Sequence, residues 1–123
     1  MRVFIAGPMR GRPQYNFPAF YAAEETIAAA GHAVVNPARM DDEDGFDRDY
    51  EYGDDEMAEM IRSFASRNAA KLAQCDAIAL LPDWDESEGA KLDLAFAQYL
   101  GLKVIWASTG MTANVCVELV PNG

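Results

Sequence analysis

Ser87, Gly89 and Asp93 stand close together in PDWDESEGAKLD, and Arg10 and Arg12 flank a glycine in GPMRGRP. A serine hydroxyl and a glycine amide at the start of a helix make a phosphate seat, because free N–H groups there point outward. Asp93 would share a helix face with Gly89 and Ala97, both small, so its carboxylate has room to meet a ligand. The bland alternative is an acid that only complements the helix dipole. Gly7 and Pro8 open the first stretch, where a glycine lets backbone approach a ligand and Arg10 and Arg12 can hold an anion by charge-assisted bonds. That stretch lacks GxGxxG and the P-loop lysine, and a turn with two solvated arginines is its alternative. Trp84 can stack on a base or cover a sheet edge. A third stretch, ASTGMTAN at 107–114, again combines a glycine with hydroxyls.

These stretches need a scaffold, and apolar spacing supplies one. RVFIA (2–6) is a short apolar run ended by glycine, as a buried parallel strand would be. Asn16 is placed to cap a helix over 17–30, Pro18 fits its first turn, and Gly31 stops it. AVV (33–35) is the next strand, closed by Asn36-Pro37. Helical spacing returns over about 55–73 through Met57, Met60, Ile61, Phe64, Ala65 and Leu72, with the methionines read as core filler. DAIALL (76–81) is a third strand, with Asp76 a strand-start residue. A helix from Asp85 or Ser87 to Leu100 then carries Leu92, Ala95, Phe96, Tyr99 and Leu100 on one stripe, with Gly101 ending it. KVIWA (103–107) is a fourth strand and NVCVELV (114–120) a candidate fifth, at an edge. Short apolar strands alternating with helices predict one α/β domain over residues 1–123, a doubly wound, mainly parallel sheet of four or five strands. In such sheets ligands bind outside the carboxyl ends of the strands, where all three stretches fall.

The net charge of −10 argues against a general nucleic-acid binder, whose footprint is basic. Residues 41–56, DDEDGFDRDYEYGDDE, hold ten acids and one arginine, so nearly all the excess charge is local. They read as a solvated loop, with two alternatives: a lid whose Phe46, Tyr50 and Tyr52 cover a bound base, or a dock for a basic partner. Cys75 and Cys116 have no CxxC spacing and read as two buried free thiols, and one histidine, His32, makes no zinc site with them, so neither metal nor cofactor is expected. With no signal peptide and no run of eighteen apolar residues, the reading is a soluble cytoplasmic protein with no membrane partner.

FIAGPM, YNFPAF, AAGHAVVNPA and CDAIALLPDW-x-x-S-x-GA-x-x-D together resemble small phage and bacterial proteins of the nucleoside 2-deoxyribosyltransferase-like superfamily, from Met1 to about Ile105. GPMRG is also similar to the GSIRG loop of 2′-deoxynucleoside 5′-phosphate N-hydrolases. The resemblance implies a flavodoxin-like or Rossmann-like fold, usually a homodimer or larger homo-oligomer. It implies cleavage of the N-glycosidic bond of a deoxynucleoside or deoxynucleoside 5′-monophosphate, by hydrolysis or deoxyribosyl transfer, through a carboxylate nucleophile that forms a glycosyl-enzyme. On that resemblance the nucleophile position is Asp93, the 5′-phosphate serine is Ser87 beside Gly89, and the first loop supplies Gly7, Pro8 and Arg10.

The chain departs from the resembling pattern where chemistry is done. The nucleophile is normally glutamate and here is Asp93, roughly 1.5 Å shorter in reach, and a misplacement of about 1 Å can cost on the order of a hundredfold in rate. The helix acid of an Arg-Asp pair is Asn68, which donates hydrogen bonds but is no carboxylic acid. The strand tyrosine is Phe4. Asp83, Asp85, Glu86 and Glu88 offer substitute carboxylates. An inactive nucleotide-binding module and an acidic-loop interaction protein therefore stand beside the enzyme as alternatives.

Overall fold

The computed structural model describes residues 1–117. Its sheet has four strands, β1 (Arg2–Ala6), β2 (Ala33–Val35), β3 (Ala77–Leu80) and β4 (Lys103–Trp106), in the order β2-β1-β3-β4 and parallel throughout. The helices are α1 (Phe17–Ala29), α2 (Pro37–Glu43), α3 (Asp54–Leu72) and α4 (Glu88–Tyr99). β1 and β3 lie side by side at the centre. The chain winds outward from β1 in one direction and from β3 in the other, which makes this a doubly wound α/β fold.

The two faces of the sheet follow from strand alternation. Val3, Ile5, Ala77 and Ala79 point to one side and pack with Phe17, Phe20, Ala23 and Ile27 of α1 and Ala38 of α2. Phe4, Ala6, Ile78 and Leu80 point to the other and pack with Leu72 of α3 and Ala90, Leu94 and Ala97 of α4. β1 and β3 are covered on both faces, so they read as unbroken apolar runs. The Asp76 carboxylate accepts from the Arg2 amide at 2.8 Å, fixing the start of β1 against β3 as a strand-start residue should.

Helix ends show which expectations hold. Gly31 (φ 95°) and Gly101 (φ 78°) are the left-handed stops of α1 and α4. At α4 the Leu102 amide donates to Ala97 O and the Gly101 amide to Gln98 O, the paired bonds of a Schellman turn. Asn16 does not cap α1 through its side chain. It sits in the left-handed region with Gln14 and Tyr15, and its Nδ2 donates to Pro8 O at 2.9 Å. That left-handed turn swings Tyr15 and Phe17 under the end of β1, and such backbone costs about 1–2 kcal/mol per non-glycine residue.

Four expectations need correction. Asn36-Pro37 does more than end β2: Asn36 Oδ1 accepts from the Ala38 amide at 2.9 Å and Pro37 takes the first turn, so a helix, α2, begins there. Residues 41–56 are consequently not one solvated loop. Asp41 to Glu43 end α2, Asp54 to Glu56 begin α3, and Asp41 is buried. On α4 the expected stripe has the wrong phase: Ala90, Leu94 and Ala97 are buried, while Leu92 and Tyr99 are 60% and 86% exposed. Small residues flanking Leu94 let the helix lie close to the sheet, which turns the larger side chains outward. Finally, Cys116 is exposed, and only Cys75 is a buried thiol.

After β4 the chain doubles back. Thr112 forms a single antiparallel bridge with Ile105, and the Ala113 amide donates to Val104 O at 2.7 Å. Residues 114–117 form no strand, and the remainder of the expected fifth strand lies outside the described residues.

Candidate active site

A cleft of about 570 Å³ opens where β1 and β3 end, at the point where the winding direction reverses. Its floor is Ile5 to Pro8 from β1 and its loop, with Glu86 to Ala90 from the loop after β3. Its far wall is α3, through Met57, Ile61, Phe64, Ala65 and Asn68. The volume is within the range that takes a drug-sized or nucleotide-sized molecule. The loop after β4 contributes no lining residue, because it turns back along β4 instead.

The first turn of α4 forms one end of the floor. Ser87 caps the helix, its Oγ accepting from the Ala90 amide at 3.1 Å, while its own hydroxyl proton stays available. The amides of Glu88 and Gly89, the first two of the helix, precede the first intrahelical bond, and both residues line the cleft. Nothing crowds Gly89: the nearest atom to a Cβ there would be Ser87 Oγ at 3.9 Å. Arg10 lines the same cleft and is exposed. Arg12 is committed elsewhere, to Asp83 at 3.1 Å and Glu86 at 2.5 Å, and so ties the loop after β1 to the loop after β3. Gly7 serves packing: a Cβ there would fall 2.7 Å from Leu81 Cβ and Cδ1.

Asp93 projects into the cleft from the second turn of α4. Its carboxylate has no ion-pair or hydrogen-bond partner among the described residues. Burial alone pushes its pKa up to about 7. Such a carboxyl exchanges protons near neutrality and, when ionised, is poorly solvated and reactive.

A second polar cluster lies in the same cleft. Asp41, on the inner face of α2, accepts from Arg67 Nη2 at 2.7 Å and is only 3% exposed. Arg67 Nη1 reaches Asp44 at 2.9 Å, its Nε and Nη2 reach Asn68 Oδ1 at 3.1 and 2.8 Å, and its guanidinium lies 4.8 Å over the Phe64 ring. An arginine only donates, so this contact fixes the Asn68 amide with its oxygen toward Arg67 and its NH2 free for the cleft. Burial raises the Asp41 pKa to about 6 even though Arg67 opposes the shift; Asp44 and Asp42 add to it.

The loop between α2 and α3 closes the remaining side with aromatic rings. Phe46 lines the cleft and is the hub: its ring centroid is 4.9 Å from Tyr15, 5.9 Å from Phe17, 5.1 Å from Tyr52 and 6.1 Å from Phe64. Tyr52 Oη accepts from the Asp47 amide at 2.9 Å, and Tyr50 packs edge-on against Tyr52 at 4.7 Å.

Gly7, Pro8, Arg10, Ser87, Gly89, Asn68 and Asp93 therefore meet in one cleft. Three expected residues do not. Trp84 packs against the core beneath α4, since the turn at Trp84–Glu86 folds it back over the sheet. Tyr50 and Tyr52 support Phe46 from behind rather than facing the cleft. Phe4 is fully buried among Leu80, Leu94 and Leu72, so no positioning group stands at that strand position. Asp41, expected only as part of a solvated acidic loop, lines the cleft, and Met57, expected as core filler, lines it too, beside Ile61, Phe64 and Ala65. The capping pair Asn36-Pro37 was the available signal for Asp41, because it sets a helix on which Ala38 and Asp41 share a face. Among the described residues no three His, Cys, Asp or Glu side chains gather as a metal site, and no helix is long and apolar enough to cross a membrane.

Fold and cleft together define a doubly wound α/β protein with a cleft at the switch point of its sheet. Residues 1–106 match the family described as Domain of unknown function (DUF4406), and the chain belongs to that family. No curated protein matches it.

Proposed function

We propose that this protein cleaves the N-glycosidic bond of a deoxynucleoside 5′-monophosphate, with Asp93 as the nucleophile. The observation that carries the reading is a carboxylate without a partner, turned into a nucleotide-sized cleft one helical turn from a phosphate seat. Arg10, the Ser87 hydroxyl and the amides of Glu88 and Gly89 would hold the phosphate. The ring wall of Phe46, Phe64 and Tyr15 would take the base. Asp93 would attack the anomeric carbon and release the base, and water would then free the sugar phosphate. The resemblance to nucleoside 2-deoxyribosyltransferase-like proteins, with their deoxyribosyl transfer and homo-oligomeric assembly, supports the same reading.

The test is release of free base from the four natural deoxynucleoside monophosphates and their nucleosides, followed by chromatography, with Asp93→Ala beside the native protein. Release that vanishes in Asp93→Ala upholds the proposal; release unchanged in Asp93→Ala refutes it. A second reading, a cleft that binds nucleotide without cleaving it, is favoured by the burial of Phe4 and by Asn68 standing where an acid is expected. It requires thermal stabilisation by a monophosphate with no base released.

A further inference from the structure

Breaking an N-glycosidic bond needs a proton for the departing base as well as a nucleophile, and Asn68 cannot act as a carboxylic acid. Asp41 is the other carboxyl deep in the cleft. Its Oδ1 is held by Arg67 at 2.7 Å. No donor is bonded to Oδ2 among the described residues, yet no buried side-chain oxygen there lacks a partner. Oδ2 therefore keeps some exposure, and the cleft is the space that Asp41 lines. One oxygen is anchored and the other is open, on a residue that is itself 3% exposed.

We propose that Asp41 is the acid that protonates the departing base, with Arg67 as the positioning residue that aims both Asp41 Oδ2 and the Asn68 NH2 into the cleft. This rests on the N-glycosidase reading. In the first step Asp93 Oδ forms a bond to C1′, the C1′–N bond breaks with its electron pair passing to the base, and the Asp41 proton goes to the base. In the second, water gives its proton to the Asp41 carboxylate and its oxygen attacks C1′. The C1′–O bond to Asp93 breaks with its pair returning to Asp93. The sum is nucleotide and water giving base and deoxyribose 5-phosphate, with both acids restored.

Burial raises the Asp41 pKa to about 6, Asp42 and Asp44 add to it, and Arg67 stabilises the carboxylate once the proton has left. Because burial pushes Asp93 higher still, to about 7, the reacting form, Asp41 protonated and Asp93 ionised, is the minor protonation state of the pair and is most populated between about pH 6 and pH 7. The other charged or titratable groups lining the cleft are Arg10, Arg12, Tyr15, Glu86, Glu88 and Asp93. Asn68, its amide oxygen already engaged, offers N–H donors to an acceptor on the same base.

The experiment compares natural monophosphates with 7-methyl-2′-deoxyguanosine 5′-monophosphate, whose base leaves neutral and needs no proton. Asp41→Asn is expected to slow base release from natural substrates by about a hundredfold and from the 7-methyl substrate by no more than about threefold. Adding Asn68→Asp, which sets a carboxyl on the adjoining wall, is expected to recover activity on natural substrates. Equal losses on both substrates would overturn the assignment of Asp41 and leave the N-glycosidase reading intact. Absence of any base release from the native protein would overturn both. The native protein gives an independent measure should Asp41→Asn fail to fold. Its kcat/KM should fall at alkaline pH with natural substrates and show no such fall with the 7-methyl substrate; a fall of the same size with both refutes the assignment.

Discussion

Replacing Asp93 by asparagine should stabilise the protein at alkaline pH and do little in acid. The Asp93 pKa is lifted from 3.8 to about 7 by burial, with no cation or hydrogen bond to offset it. Folding therefore raises the pKa, and between about pH 4 and pH 7 the folded chain holds more protons than the unfolded one. Stability then falls as pH rises through that window, with the penalty complete above pH 7 and small at pH 4. Roughly three units at 1.36 kcal/mol each set a ceiling of about 4 kcal/mol. Water reaches Asp93 through the cleft mouth, and that screening brings the expected penalty to about 2 kcal/mol. Asp93→Asn keeps the shape and removes the charge. Urea unfolding of both proteins at pH 4 and pH 8 should give matching stabilities at the first and a gain of about 2 kcal/mol for the variant at the second. A gain of equal size at both pH values, or a native protein more stable than Asp93→Asn at pH 8, would show that the carboxylate is not held against its own solvation.

Arg67→Met should destabilise the fold by about 3 kcal/mol at pH 8, because Asp41 loses its cation while still buried, and by clearly less at pH 5, where Asp41 is mostly protonated; paired urea titrations read the difference. Gly7→Ala should cost about 1–3 kcal/mol through collision with Leu81, and pairing it with Leu81→Ala should be less harmful than the sum of the two single changes, as a double-mutant cycle would reveal. Arg10→Ala should weaken a deoxynucleoside monophosphate by roughly 1.5–3 kcal/mol and leave the corresponding nucleoside unchanged, measured by calorimetry.

Much of this molecule could be read from local chemistry. The apolar runs at 2–6 and 76–81, the stops at Gly31 and Gly101, and the Ser87 start of α4 are properties of a few adjacent residues, and each holds in the fold. The carboxyl-end rule then brought Gly7, Arg10, Ser87 and Asp93 to one place, because a parallel sheet leaves its loops nowhere else to go. Composition misled where charge was dense. Ten acids in sixteen residues look like solvent-exposed chain, but a capped helix had already carried Asp41 to the inside, and only Arg67, 26 residues later, makes its burial tolerable.

What the sequence by itself determined was the order of the four strands and of the three longer helices, and two of the three loops that line the cleft, since these depend on periodicity and turn residues. Tertiary packing decided the rest. It turned the α3 stripe of Met57, Ile61 and Phe64 toward a cleft instead of the core, since only Leu72 at the helix end reaches the sheet interior. It packed Trp84 against the core and turned Phe46 to the cleft, though both are half-buried aromatic residues between the main elements. It also separated two aspartates that look alike in sequence: Asp41 is buried and anchored by a guanidinium, and Asp93 is half-buried with no counter-charge among the described residues. A carboxylate's proton affinity is set by the water and charges within a few ångströms, and those neighbours come from distant parts of the chain.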